Sequence, residues 1–172
     1  MFANAYRVVD VGSYEPLLLE RLSHMHGKAT YSQVCALMKE GGAFRYDGAE
    51  HRIPQSPAVT ETRRAGDCKD LAVWLASKLN DPSVIFVEGH GAHSHEHHAW
   101  LEWFGDGQLW ILDLTVHFNG SVPTLASQSH DPTSSLYYVP ERFVTKYGVF
   151  TSCGAISGSA PIGGCGQPVA AR

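Results

Sequence analysis

His98-Ala99-Trp100-Leu101-Glu102-Trp103-Phe104-Gly105-Asp106-Gly107-Gln108-Leu109-Trp110-Ile111-Leu112-Asp113-Leu114-Thr115 is the stretch whose reading decides the fold. Two runs of aromatic and aliphatic residues flank Gly105-Asp106-Gly107-Gln108. An Asp-Gly pair between such runs is a strong hairpin signal, because both residues tolerate the positive φ of a tight turn. An even loop centred on Asp106-Gly107 sets Trp100 opposite Asp113 and His98 opposite Thr115. His98, Trp100 and Asp113 then share one face, while His97, Ala99 and Leu101 lie on the other. His98 and Asp113 become diagonal neighbours, about 7 Å apart between β-carbons, within reach of an imidazole-carboxylate hydrogen bond. An odd loop reverses the choice and brings His97 to Asp113.

Outward from the hairpin, Val84 to Val87 is a short β-branched run that reads as a buried strand. Before it, Leu71, Trp74, Leu75 and Leu79 recur at helical spacing behind Asp67, a good N-cap, and Asn80-Asp81-Pro82 stops the pattern. A helix over 67–79 places Cys68 in its first turn, with Lys69 and Asp70 as exposed first-turn residues. Thr30 with Gln33 forms a capping box ahead of Val34, Leu37 and Met38, and Gly41-Gly42 ends that helix. Ser13 and Pro16 open a shorter one through Leu17, Leu18, Leu22 and Met25 to Gly27. Phe44-Arg45-Tyr46 reads as a short extended segment. Tyr137, Tyr138 and Val139 suggest one more strand before Pro140, and Glu141 to Tyr147 a short helix.

The chain has 172 residues, 44% hydrophobic and 17% charged, enough for one buried core. Composition shifts at about residue 151, giving one domain over 1–150 and a Gly/Ser/Ala-rich tail over 151–172. A formal net charge of -4 with scattered Lys and Arg argues against nucleic acid as a partner. No apolar run reaches the roughly 18 residues of a membrane span, and the N-terminus lacks a signal-peptide pattern. The expectation is a cytoplasmic protein with no membrane partner; the oligomeric state is not legible.

Four cysteines, at 35, 68, 153 and 165, form no CxxC pair and no disulfide framework. Cys35 fits a small buried side chain in an apolar helix, and Cys153 and Cys165 flank the small-residue tail. Cys68 differs in its surroundings. At a helix N-terminus, the macrodipole and unpaired amides favour a thiolate, and an adjacent imidazolium of His98 favours it further. Asp113 would fix the tautomer and hold the ring toward sulfur. Trp100 on the same face is a candidate substrate contact, with sheet packing as its alternative role.

Of ten histidines, five lie between His90 and His98. Imidazoles at this density bind Zn, Ni or Cu, so a non-catalytic metal-binding protein using His93, His95 and His97 is the alternative from another class. The cluster is compact and Gly-flanked, unlike a structural site with a spaced fourth ligand.

Gly66-Asp67-Cys68-Lys69-Asp70-Leu71-Ala72, His98-Ala99-Trp100-Leu101-Glu102 and Asp113-Leu114-Thr115 together resemble the transglutaminase-like (papain-like) cysteine protease and acyltransferase superfamily. Phe44-Arg45-Tyr46 is similar to the aromatic pair this family carries upstream of its nucleophile. The resemblance covers about residues 44–118. It implies an α+β fold with the Cys-bearing helix packed on an antiparallel sheet, and it favours the even hairpin register. It further implies Cys68 as nucleophile, His98 as general base and acid, and Asp113 as orienting carboxylate. The implied reaction is hydrolysis or acyl transfer at an amide bond of a peptide or protein, through an acyl-thioester and with no cofactor. Without accessory β-domains or an obvious calcium loop, hydrolysis ranks above transglutaminase-type crosslinking.

Overall fold

A computed structural model of the chain describes residues 14–48, 53–91, 97–115, 122–129 and 138–151. Of the tail read over 151–172, Thr151 is described and ends a strand, while 152–172, with Cys153 and Cys165, lies outside the described residues, as do Ser13, His93, His95 and Tyr137. Five helices and eight strands are described: α1 (Glu15–Ser23), α2 (Tyr31–Gly41), β1 (Arg45–Tyr46), α3 (Pro57–Arg63), β2 (Ala65–Gly66), α4 (Cys68–Leu79), β3 (Val84–Gly91), β4 (His97–Gly105), β5 (Gln108–Leu112), β6 (Thr124–Leu125), α5 (Ala126–Ser129), β7 (Tyr138–Thr145) and β8 (Gly148–Thr151). The fold class is α+β, with a six-stranded antiparallel sheet ordered β6-β5-β4-β3-β7-β8 and a two-residue parallel ladder of β1 with β2.

The hairpin turns at Asp106-Gly107, whose φ values of 54° and 76° match the doubly positive turn that follows the twist of its strands. Leu101 pairs with Leu112 and Glu102 with Ile111, the even register. One sheet face packs on the helices. Leu71, Trp74, Leu75 and Leu79 of α4, Val34 and Met38 of α2, and Leu18 and Leu22 of α1 meet Val84, Phe86, Ala99, Leu101, Trp103, Leu112 and Val144. Each leucine so buried contributes about 1.5–3 kcal/mol. The other face carries a smaller cluster of Val87, Trp100, Ile111, Ala126 and Tyr138. Residues of β4 are therefore covered on both sides, which explains its near-continuous apolar run.

Asp81 locks the helix layer to the sheet. Its buried carboxylate accepts from the backbone N–H of Ala29 at 2.7 Å and of Ser83 at 2.9 Å, and from Trp103 Nε1 at 3.2 Å. Burial alone raises its pKa, but these bonds outweigh that and hold it below the ordinary value.

Several short elements, β2, β6, α5 and β8, have no counterpart in the sequence reading, and two longer ones depart from it. Residues 141–147 are not a helix: β7 runs from Tyr138 through Pro140 to Thr145 and turns at Lys146-Tyr147 into β8. Phe143 and Val144 pack on opposite faces of the sheet, the period of a strand, and their partners Val87 and Phe86 lie far away in sequence. The unforeseen helix α3 follows Ser56, whose Oγ accepts from Val59 N–H, and has a proline in its first turn. Of its residues only Thr60 is buried, so no apolar period announces it. The α4 capping box, by contrast, forms as Asp67 and Asp70 suggest.

The ladder of β3 with β7 shifts register between Glu88 and Gly89. Pro140, which has no N–H to donate, sits opposite Gly89, and a Cβ on Gly89 would stand 2.1 Å from Val139 O and 2.9 Å from Trp100. Beside the shift, Glu88 is 2% exposed and neither carboxylate oxygen has a hydrogen-bond partner among the described residues. Burial, and secondarily the charge of Glu141, push its pKa up to about 8. A carboxyl raised in the native state binds its proton more tightly than the unfolded chain does. Stability therefore falls as pH rises through the interval from the ordinary value to about 8. Glu88→Gln removes this dependence. Its melting temperature relative to wild type is expected to climb between pH 5 and 8 and then level off; a difference constant with pH would contradict the buried neutral carboxyl.

Candidate active site

Cys68 is the first residue of α4 and is half-buried. The path into the helix is held on two sides. Residues 65 and 66 pair with Arg45 and Tyr46, and Asp47 N–H donates to Gly66 O at 2.9 Å. Asp67 accepts from Asp70 N–H at 3.1 Å, while Asp70 accepts from Asp67 N–H at 3.1 Å. The sequence reading placed Lys69 and Asp70 on the surface; both are buried. Lys69 Nζ pairs with the Asp67 carboxylate, and Asp70 accepts from Gln55 N–H at 2.7 Å and Gln55 Nε2 at 2.6 Å. Asp70 thus fixes the segment before α3 against the turn that carries Cys68, and Lys69 neutralises the capping Asp67 within that turn. Gly66 permits this, since a Cβ there would stand 2.6 Å from Asp70 Cβ.

His98 lies near the start of β4, and Asp113 is the first residue beyond β5. His98 Nε2 donates to Asp113 Oδ2 at 2.6 Å, so the even register brings together the pair expected of it. Thr115 completes the other oxygen: its N–H and Oγ donate to Asp113 Oδ1 at 2.8 and 2.7 Å. Having spent its proton there, Thr115 Oγ also accepts from His98 Nε2 at 3.2 Å. Nε2 is fully engaged, which leaves Nδ1 as the free ring nitrogen on the side of Cys68, whose proximity adds to the proton affinity of the ring.

Electrostatics follow from this geometry. Burial by itself lowers the proton affinity of His98. The Asp113 charge and hydrogen bond, then those of Cys68, overcome it and raise the pKa to about 10. Burial likewise raises Asp113, but the His98 charge and the bonds from His98, Tyr138 and Thr115 leave it below the ordinary carboxylate range. At neutral pH the ring is an imidazolium and the carboxyl an anion. An imidazolium and a helix N-terminus beside one sulfur are the surroundings in which thiolates become reactive.

Trp100, read as a candidate substrate contact or a sheet-packing residue, lies inside the sheet packing. It is fully buried, its ring 6.0 Å from that of His98 and 4.8 Å from that of Tyr138, so it packs the sheet behind the imidazole. His97 points to the opposite face from His98, its Nε2 4.0 Å from Glu141 Oε2, while His90 Nδ1 bonds Glu141 Oε1 at 2.8 Å. Among the described residues, no three His, Cys, Asp or Glu side chains are grouped to hold a metal ion. Cys35, read as buried, is half-buried on α2 beside its apolar stripe. Tyr138 is the site residue that the sequence reading missed: its hydroxyl donates to Asp113 Oδ2 at 2.7 Å.

This architecture, a Cys-bearing helix on an antiparallel sheet that carries the histidine, is an α+β papain-like fold. Legionella pneumophila LapG shares the fold, with a TM-score of 0.59 and 18% identity over 81% of this chain and 77% of that one. Its calcium-bound form gives 0.58 over the same shares, and its EGTA-treated form 0.60 over 82% and 75%. No protein-family model and no curated protein sequence matches the chain.

The two described cysteines provide an internal comparison. At pH 6, iodoacetamide is expected to modify Cys68 at least tenfold faster than Cys35, with that advantage lost in His98→Ala, as resolved by peptide mass spectrometry. Equal rates in the wild type would show that the imidazole does not activate the sulfur.

Proposed function

We propose that the protein is a cysteine-dependent hydrolase of amide bonds in peptides or proteins. The observation that carries this reading is the placement of Cys68 at the α4 N-terminus against an imidazole held by a buried carboxylate. The fold shared with LapG is compatible with it.

In the proposed reaction the Cys68 thiolate attacks the amide carbonyl carbon. The tetrahedral oxyanion collapses as the C–N bond breaks, and the His98 imidazolium gives its proton to the departing amine. This leaves an acyl-thioester on Cys68 and a neutral imidazole. His98 then takes a proton from water, whose oxygen attacks the thioester carbonyl, and the acid leaves while sulfur is released. Asp113 keeps Nε2 engaged throughout, so that Nδ1 exchanges the proton. The Cys68 backbone N–H at the helix start is the natural first donor to the oxyanion.

Hydrolysis and amine transfer diverge only at the second step. Incubating an unfolded protein substrate in H2¹⁸O should place one ¹⁸O in each new carboxylate, and Cys68→Ala should lower cleavage by about 10³-fold or more. Cleavage that persists in Cys68→Ala would overturn the reading. Isopeptide-linked products without ¹⁸O would replace hydrolysis with crosslinking.

A further inference from the structure

We propose that Tyr138 is a positioning residue of this site: its buried hydroxyl pins Asp113 Oδ2 opposite His98 and keeps the carboxylate an anion. The role rests on reading Cys68 and His98 as the reacting groups, and it adds a residue that Cys-His-Asp chemistry does not require.

Asp113 accepts four hydrogen bonds, and their origins differ. Two come from Thr115, a near neighbour in the chain, and go to Oδ1. Oδ2 takes the His98 proton and one further donor, Tyr138, from a strand on the far side of β3. Thr115 thus holds one oxygen, and Tyr138 settles where the other lies. The phenol ring adds a wall, 6.2 Å from the His98 ring at 27° and 4.8 Å from Trp100. Burial, then the Asp113 charge and hydrogen bond, push the Tyr138 pKa far above its ordinary value, so the hydroxyl stays a donor at every working pH.

The register shift is what delivers this side chain. Gly91 pairs with Tyr138 and Gly89 with Pro140, whereas Glu88 pairs with Arg142. Without the extra residue, Val139 would stand opposite Gly91 and Tyr138 would project from the other face. Gly89 itself pairs with His98 and leaves the space that a side chain would fill. An irregularity in one strand therefore ends at the carboxylate that orients the imidazole.

Asp113 meets Cys68 of α4 through His98 of β4, and Tyr138 of β7 directly. His97 of β4, His90 and Glu88 of β3 and Glu141 of β7 lie across the sheet, where His97 feels the His98 charge. These groups are common to wild type and variant and cancel in their comparison. A hydrogen bond to the carboxylate favours its anion, so deleting it raises the pH at which Asp113 is protonated. The acid limb must then move upward.

Tyr138→Phe tests this with two readouts. The acid limb of Cys68 alkylation by iodoacetamide, which needs no substrate, is expected to rise by about 0.5–1 pH unit. On a cleaved peptide, kcat should fall about tenfold with KM nearly unchanged. Site-specific 3-fluorotyrosine at position 138, a stronger donor of nearly the same shape, should move the limb the other way and covers the case of a Phe variant that folds poorly. A limb that neither substitution moves overturns the proposal. A limb that moves in a protein that cleaves no amide supports the role of Tyr138 and sinks the hydrolase reading; cleavage with an unmoved limb does the reverse.

Discussion

The ion pair of the buried Asp113 with the partly buried His98 is the constraint on which the rest depends. An anion and a cation removed from water are costly, and such a pair persists only where the remaining lone pairs and protons are satisfied. Asp113 meets that condition with four donors, from β4, β7 and Thr115. Removing one partner from a buried pair typically costs about 3–5 kcal/mol, because the other charge is then stranded. Replacing the pair with apolar residues would serve stability as well or better. A device with that balance sheet makes sense as preparation for chemistry at Cys68.

Each element near the site serves that pairing. The doubly positive Asp106-Gly107 turn sets the hairpin register and so the residue that faces Asp113. The shift beside Gly89 turns Tyr138 to the same face. On the helix side, the reciprocal bonds of Asp67 and Asp70 and the clamp on Gln55 fix the first turn of α4, where sulfur must meet the imidazole. Asp67 and Asp70 are buried and polar, so their positions are specified by hydrogen-bond geometry rather than by apolar packing alone.

Much of this was legible in the chain because the signals were local. An Asp-Gly turn between apolar runs places the hairpin and narrows its register to two choices, of which the family resemblance favours the even one, and a capping aspartate before a periodic helix fixes where Cys68 sits. The capping box at Thr30 and Gln33 forms for the same reason. The parts that were not legible depend on distant partners. Glu141 to Thr145 has no strong local preference and becomes strand because β3 offers an edge. Lys69 and Asp70 look like ordinary surface charges until Asp67 and Gln55 are brought to them. Tyr138 carries no motif at all; only the sheet order and its register shift place it on Asp113. For α3, Ser56-Pro57 was a readable start signal that a search for apolar periodicity passes over.

The most direct measurement is the titration of His98 by NMR in protein labelled at the histidine ring, with His98→Gln to assign the signal. A ring held between Asp113 and the Cys68 sulfur should remain protonated through neutral pH and lose its proton near about 10. A transition close to the ordinary histidine value, about 6.5, would contradict the ion pair and with it the preparation of Cys68 for attack.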